Sequence, residues 1–212
     1  MLFKATVNNS TLELLTRLMG DDILKDFVLA GGTALALQLG HRISVDIDLF
    51  SKVAFNENSL SDYLRTEYHF VLDSISKNTV KGEISGVQLD CIAHQYPWVN
   101  PPEHEEGIRL SSYMDIAAMK LNAISGNGTR LKDFIDVAYL SEKTSFNQML
   151  QGYEKKYNSN PIIPVKALTY FDDINFNEPI KMLAKTGFVW VKIAERLKSM
   201  QSFPDRIFKP LK

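Results

Sequence analysis

Two periodicities divide this chain. Through residue 93 short apolar runs alternate with polar positions at every second residue, whereas beyond residue 107 the apolar positions recur every three or four, so the first part predicts strands with covering helices and the second predicts helices. Leu14, Leu15, Leu18 and Met19 mark a first helix, opened by Ser10 and Glu13 as a capping box and closed by Gly20. Residues 27–30 read as a short buried strand. The glycine pair Gly31 and Gly32 follows, then a helix of about two turns closed by Gly40 and a second strand over 44–50. In that strand Ser44, Asp46, Asp48 and Phe50 share one side, and Val45, Ile47 and Leu49 the other. With the apolar side on a core, two carboxylates stand on a common face, roughly 7 Å apart by the strand rise.

A helix over 56–67 carries Leu60, Tyr63 and Leu64, after which alternation returns over 68–76, 79–84 and 87–93. Asn78 separates the first two of these strands, and Ser85 with Gly86 has the composition of a tight hairpin turn before the third. There Gln88, Asp90 and Ile92 face one way, which leaves Asp90 an isolated acid on a strand whose other face is apolar. Three prolines within 96–107 break the pattern and set the main boundary. Beyond it helices are expected over 112–125, 130–142, 146–157, 165–172 and 187–200. Ser112 and Asp115 pair at the start of the first, Thr129 caps the second, and Val189, Ile193, Leu197 and Met200 stripe the last.

Composition narrows the class. At 212 residues, 45% hydrophobic and 23% charged, the chain is of the ordinary soluble kind and long enough for a full core, as one compact unit or two small ones. No run reaches the roughly 20 apolar residues that span a bilayer, and no basic leader with a sustained apolar segment opens the chain, so neither a membrane span nor a signal peptide is expected. The single cysteine, Cys91, excludes an internal disulfide and fits a reducing, cytoplasmic setting, while four scattered histidines argue against a zinc site. The net charge of −1 conceals an asymmetry, since residues 181–212 hold eight Lys or Arg against Glu195 and Asp205. Such a tail either steers an anionic partner such as RNA or is a solvated helical face.

The residues that could carry chemistry cluster early. Gly31 and Gly32 at a strand-to-helix turn allow close approach of an anion to backbone N–H groups, and Thr33 could add a hydroxyl donor, although neither a Walker A loop nor a dinucleotide fingerprint is present. The Asp46 and Asp48 carboxylates suit magnesium, which takes one or two protein carboxylates together with substrate phosphates; the alternative is a polar, solvated strand face. Asp90 extends the cluster if its strand lies beside theirs, and is otherwise an exposed acid. Arg42, just before the acidic strand, either binds a phosphate or braces a carboxylate. Lys120 lies within the apolar stripe of Tyr113, Ile116, Ala117 and Ile124, so it either snorkels to the surface or reaches a buried anionic ligand. Lys132 and Asp136 are four apart and are expected to face each other, and Asp172 with Asp173 reads as solvated surface.

Taken in order, Gly31-Gly-Thr-Ala-Leu-Ala-Leu, Gly40-His-Arg-Ile-Ser-Val-Asp-Ile-Asp-Leu-Phe50, Asp115-Ile-Ala-Ala-Met-Lys120 and Lys132-Asp-Phe-Ile-Asp136 closely resemble the AbiEii/AbiGii toxin family of nucleotidyltransferases, within the DNA polymerase β-like superfamily. The resemblance covers roughly residues 27 to 140. It implies an α+β fold, with a mixed-sheet nucleotidyltransferase core over 1–100 and a helical region over 101–212 that completes the active site. It implies Gly31, Gly32 and Thr33 at the triphosphate of an NTP, joined by Arg42, Ser44, Lys120, Lys132 and Asp133 as nucleotide-binding residues. Asp46, Asp48 and Asp90 become ligands of Mg2+, and these three with Lys120 and Asp136 become the catalytic set. The implied reaction moves a nucleoside monophosphate to an acceptor, a tRNA, another RNA or a protein, and the implied biology is that of a toxin with a separate antitoxin. Asp90 would be ligand or base. The competing reading is a catalytically silent nucleotide-binding or protein-interaction module on the same fold.

Overall fold

A computed structural model describes residues 1–183 and 187–211. Lys185 and Lys212 of the basic stretch lie outside the described residues. The chain divides into two compact units, residues 1–97 with 102–111, and residues 98–101 with 112–212.

The first unit is built on a mixed sheet of seven strands: β1 (Phe27–Leu29), β2 (Ile47–Ser51), β3 (Val71–Ser76), β4 (Thr79–Ile84), β5 (Val87–Ala93), β6 (Glu103–Glu105) and β7 (Ile108–Leu110), in the order β3-β4-β5-β2-β1-β7-β6. β2 runs parallel to β5 and antiparallel to β1, whose other neighbour, β7, is parallel to it. The β3-β4-β5 meander is the one the alternation predicts, with Asn78 and the pair Ser85 and Gly86 at positive φ in its turns. Its faces separate cleanly. Val80, Ile84, Leu89 and Cys91 are buried with Ile47 and Leu49 of β2, whereas Lys81, Asp90, Asp48 and Phe50 are half-buried on the other face.

Helices α1 (Asn9–Met19), α2 (Gly31–Leu39) and α3 (Glu57–Tyr68) complete this unit. The cap of α1 differs from the expected Ser10 capping box: Asn8 accepts from the Thr11 backbone N–H at 2.7 Å, so the helix begins two residues earlier. The second strand also starts later than expected, at Ile47, because residues 43–46 form no ladder; there Ser44 is buried and Val45 exposed, the reverse of the predicted alternation. The largest addition is the β6–β7 hairpin, turned at Glu106 and Gly107, both at positive φ. The prolines mask it, and it returns residues 102–111 to the sheet. Arg109 of β7 donates to three carbonyl oxygens, of Phe27 at 2.8 Å, Met19 at 2.6 Å and Leu24 at 3.0 Å, tying β1 to the end of α1. Asp21, just after α1, accepts from the Tyr63 and Tyr68 hydroxyls at 2.7 and 2.6 Å and so anchors α3.

The second unit holds α4 (Tyr113–Gly126), α5 (Leu131–Leu140), α6 (Phe146–Tyr157), α7 (Ile162–Ala167) and α8 (Trp190–Ser202). α4 has the expected Ser112 cap, and α6 has a full capping box between Ser145 and Gln148. Thr129 does not cap α5; Arg130 occupies that position, and the Thr129 carbonyl accepts from the Asn175 N–H at 2.8 Å. α7 lies three residues earlier than the expected 165–172, and of the last stripe Ile193, Leu197 and Met200 are buried while Val189 is exposed. Asp115 and Lys156 form an ion pair of 3.0 Å with both side chains fully buried. The Asp115 carboxylate also accepts from Ser112 and from the N–H groups of Val99 and Asn100, and Lys156 lies 4.9 Å from the centre of the Trp98 ring, so every charge in this pocket has a partner.

Candidate functional site

Each residue of the glycine turn is fitted to one charged side chain. Gly31 opens α2 at φ +65°, a backbone that suits glycine, and the Asp48 carboxylate rests over it: a methyl group placed there would come 3.0 Å from Asp48 Cγ and closer still to Oδ2. At Gly32 the same methyl would come 3.3 Å from the Arg42 guanidinium carbon and 3.4 Å from Ser44 Oγ. Arg42 and Ser44 are buried, and Arg42 donates to the Ile43 carbonyl at 3.2 Å. The Thr33 hydroxyl, almost fully buried, bonds to Ser44 Oγ at 2.9 Å and donates to the Asp46 carbonyl. Its structural work is to tie residues 44–46 to the first turn of α2. That bond explains why 43–46 leave the sheet and why Asp46 stands just outside β2.

The register of the sheet supplies the second carboxylate. β2 and β5 pair in parallel with Asp48 directly opposite Asp90, and both are half-buried on one face. This is the adjacency on which the role of Asp90 depends. The antiparallel ladder of β4 on β5 then sets Lys81 opposite Asp90, where its ammonium forms an ion pair with Oδ2. Nothing in the sequence pattern marks Lys81 as a site residue; alternation over 79–84 puts it on the polar face, but only the cross-strand register shows its partner.

Two facing carboxylates against a helix N-terminus have the hard oxygen donors that magnesium takes, and one of them already holds a cationic side chain. The donor set is small. Among the described residues no group of three or more His, Cys, Asp and Glu is placed to hold a metal ion, so Asp46 is not assembled with Asp48 and Asp90 into the expected cluster of three carboxylates. Cys91 lies on the opposite, apolar face, and burial pushes its thiol well up, which removes it from metal or redox chemistry.

The second unit holds the remaining candidates. Lys120 of α4 does not snorkel: its ammonium lies 2.6 Å from Asp133 and 2.7 Å from Asp136, both on α5 and both buried. Arg130 adds a longer contact of 3.7 Å to Asp133. The expected pairing of Lys132 with Asp136 is not formed. Lys132 instead reaches Glu178 at 3.3 Å, because Asp136 points into the helix pair and Lys132 away from it.

Comparison with known proteins fits this geometry. Residues 13–110 match the sequence model of the family described as nucleotidyl transferase AbiEii toxin, type IV TA system. An uncharacterized protein of Aquifex aeolicus (strain VF5) is 34% identical over 168 residues, which cover 76% of this chain and 81% of that protein. Two crystal structures share the fold. One is of a candidate nucleotidyltransferase from H. pylori, with TM-score 0.59, 18% identity and coverage of 93% of this chain and 96% of the other. The other is of JHP933 from Helicobacter pylori, with TM-score 0.55, 19% identity and coverage of 94% and 93%.

Proposed function

Because the chain belongs to the AbiEii family of nucleotidyltransferases, we propose that it transfers a nucleoside monophosphate from an NTP to an acceptor hydroxyl in a magnesium-dependent reaction. The observation that carries this reading is the register of β2 on β5, which sets Asp48 opposite Asp90 beside the glycine turn. Asp48 and Asp90, which the sheet sets opposite each other, are the residues that would hold magnesium. When bound, the ion neutralises phosphate charge and lowers the pKa of an attacking hydroxyl.

The chain's own groups account for the rest. The N–H groups at the start of α2, bare of side chains at Gly31 and Gly32, receive phosphate oxygens at the positive end of the helix dipole. Arg42, packed over Gly32, adds a fixed positive charge to that turn. Thr33 and Ser44 keep the acidic segment aligned with it. The acceptor oxygen passes its proton to the Asp90 carboxylate or to solvent water and bonds to the α-phosphorus, while the bond from phosphorus to the bridging oxygen breaks and pyrophosphate leaves. Positioning and electrostatics supply most of the rate in such transfers. The acceptor class proposed is RNA, tRNA included, with protein as the alternative, and the description of the family is what supports proposing a toxin role with a cognate antitoxin.

Mass spectrometry of total RNA and protein after expression of the wild type and of Asp48→Ala tests this directly. The expected result is a nucleotide added to one class of acceptor by the wild type alone. Nucleotide binding without any added mass in either sample would instead favour a silent binding module.

A further inference from the structure

A cation already sits on one of the carboxylates assigned to the metal. Lys81 of β4 is the Cα partner of Asp90 of β5, and Asp90 is the Cα partner of Asp48 of β2, so the three positions form a row across adjacent strands on one half-buried face. Within that row the Lys81 ammonium is ion-paired with Asp90 Oδ2. The Lys81 side chain keeps 40% of its surface exposed and the Asp90 side chain 24%. Such a pair is weakened by solvent, and its lysine swings on a flexible four-carbon stem. It also uses a carboxylate oxygen that a divalent cation would need.

We propose that Lys81 is a resident counter-ion of Asp90 that a divalent cation displaces, and that the released ammonium then pairs with phosphate oxygens of the metal-bound nucleotide. The proposal rests on the reading of Asp48 and Asp90 as metal ligands. Before metal arrives, Lys81 offsets the repulsion between the two facing carboxylates; afterwards the metal takes that work, and the row presents one more positive charge to a polyphosphate. The site thereby favours metal and nucleotide together over either one alone. A lysine that served only the sheet would stabilise the β4–β5 ladder and leave both affinities untouched.

The test uses the full chain and Mn2+ followed by electron paramagnetic resonance, in wild type, Lys81→Met, Lys81→Gln and Asp48→Asn, with circular dichroism as a check of folding. Both Lys81 variants are expected to bind Mn2+ about two- to fivefold tighter without nucleotide, the size of an exposed ion pair removed from competition. With Mn2+ saturating, they are expected to bind a non-hydrolysable NTP analogue several-fold more weakly. Unchanged or weaker Mn2+ affinity in both Lys81 variants overturns the displacement, and unchanged analogue affinity overturns the phosphate contact. Asp48→Asn separates the two readings. If it abolishes Mn2+ binding while the Lys81 variants behave as wild type, only the counter-ion proposal fails; if the wild type itself binds no Mn2+, the metal site fails with it.

Discussion

The Asp48 carboxylate rests directly on the α-carbon of Gly31, close enough that a methyl group there would come 3.0 Å from Asp48 Cγ. Gly31 also has φ +65°, so a side chain at this position meets two separate obstacles. Gly31→Ala is expected to cost about 1–3 kcal/mol of stability, from backbone strain and from crowding. Because the crowded group is the proposed metal ligand, transfer activity should fall by at least about tenfold beyond any loss of folded protein. Thermal unfolding alongside a transfer assay checks both numbers, and full activity in a folded Gly31→Ala protein would contradict the fitted turn.

Asp48→Asn and Asp90→Asn keep the shape of the side chain and remove its charge. Both residues are half-buried, and the ladder they occupy is made by backbone groups, so both variants are expected to fold. Their transfer rates should drop by about 100-fold or more, as expected when a group facing the developing charge is lost. A radiolabelled NTP assay at saturating Mg2+ measures this. A loss confined to Asp48→Asn would take Asp90 out of the reacting set.

Lys120 offers a contrast, since it is held between two buried carboxylates. Lys120→Met removes the ammonium that Asp133 and Asp136 share in a buried setting, and the expected loss is about 3–5 kcal/mol. Lys120→Met combined with Asp133→Asn and Asp136→Asn should recover much of that loss in urea unfolding. Activity measured on the stabilised triple variant then separates support of the α4–α5 pair from participation in the reaction.

The tie between Asp21 and α3 should register in the pH dependence of stability. Burial pushes the Asp21 carboxyl up, but hydrogen bonds from Tyr68, Tyr63 and the N–H groups of Ile23 and Leu24 outweigh it and hold the group below its usual value. The unfolded chain then binds this proton more readily than the folded one, so the contribution is present above the ordinary carboxylate range and is lost as pH falls through the lowered folded value. Urea unfolding between pH 7 and pH 3 is expected to show a smaller acid-side decline in Tyr63→Phe with Tyr68→Phe than in the wild type.

Most of the sheet and most helices are legible in the residue pattern, because one face of each is buried and the alternation of Val80 to Ile84 or the spacing of Ile193, Leu197 and Met200 follows directly. The glycine turn and the acidic pair are legible for the same reason, since they sit where a strand must end and a helix begin. What escapes is non-local. Lys132 and Asp136 have the spacing of partners, yet each bonds to a residue from another segment. Lys81 looks like an ordinary surface lysine until β4 is laid in register on β5. Asp46 seems to continue the strand, but the Thr33 hydroxyl bonds to its carbonyl and pulls it from the ladder. The β6–β7 hairpin is three residues per strand, too short for alternation to announce it beside three prolines.

That hairpin bears on how the protein is made. β1, the strand that leads into the glycine turn, is completed on one side by β2 and on the other by β7, where Leu29 pairs with Leu110 and the Ser111 N–H donates to the Leu29 carbonyl at 2.9 Å. A nascent chain of 100 residues therefore already carries Gly31, Asp48 and Asp90 while one side of an apolar strand stands bare. Until residue 111 leaves the ribosome that bare side is a template for pairing with another chain.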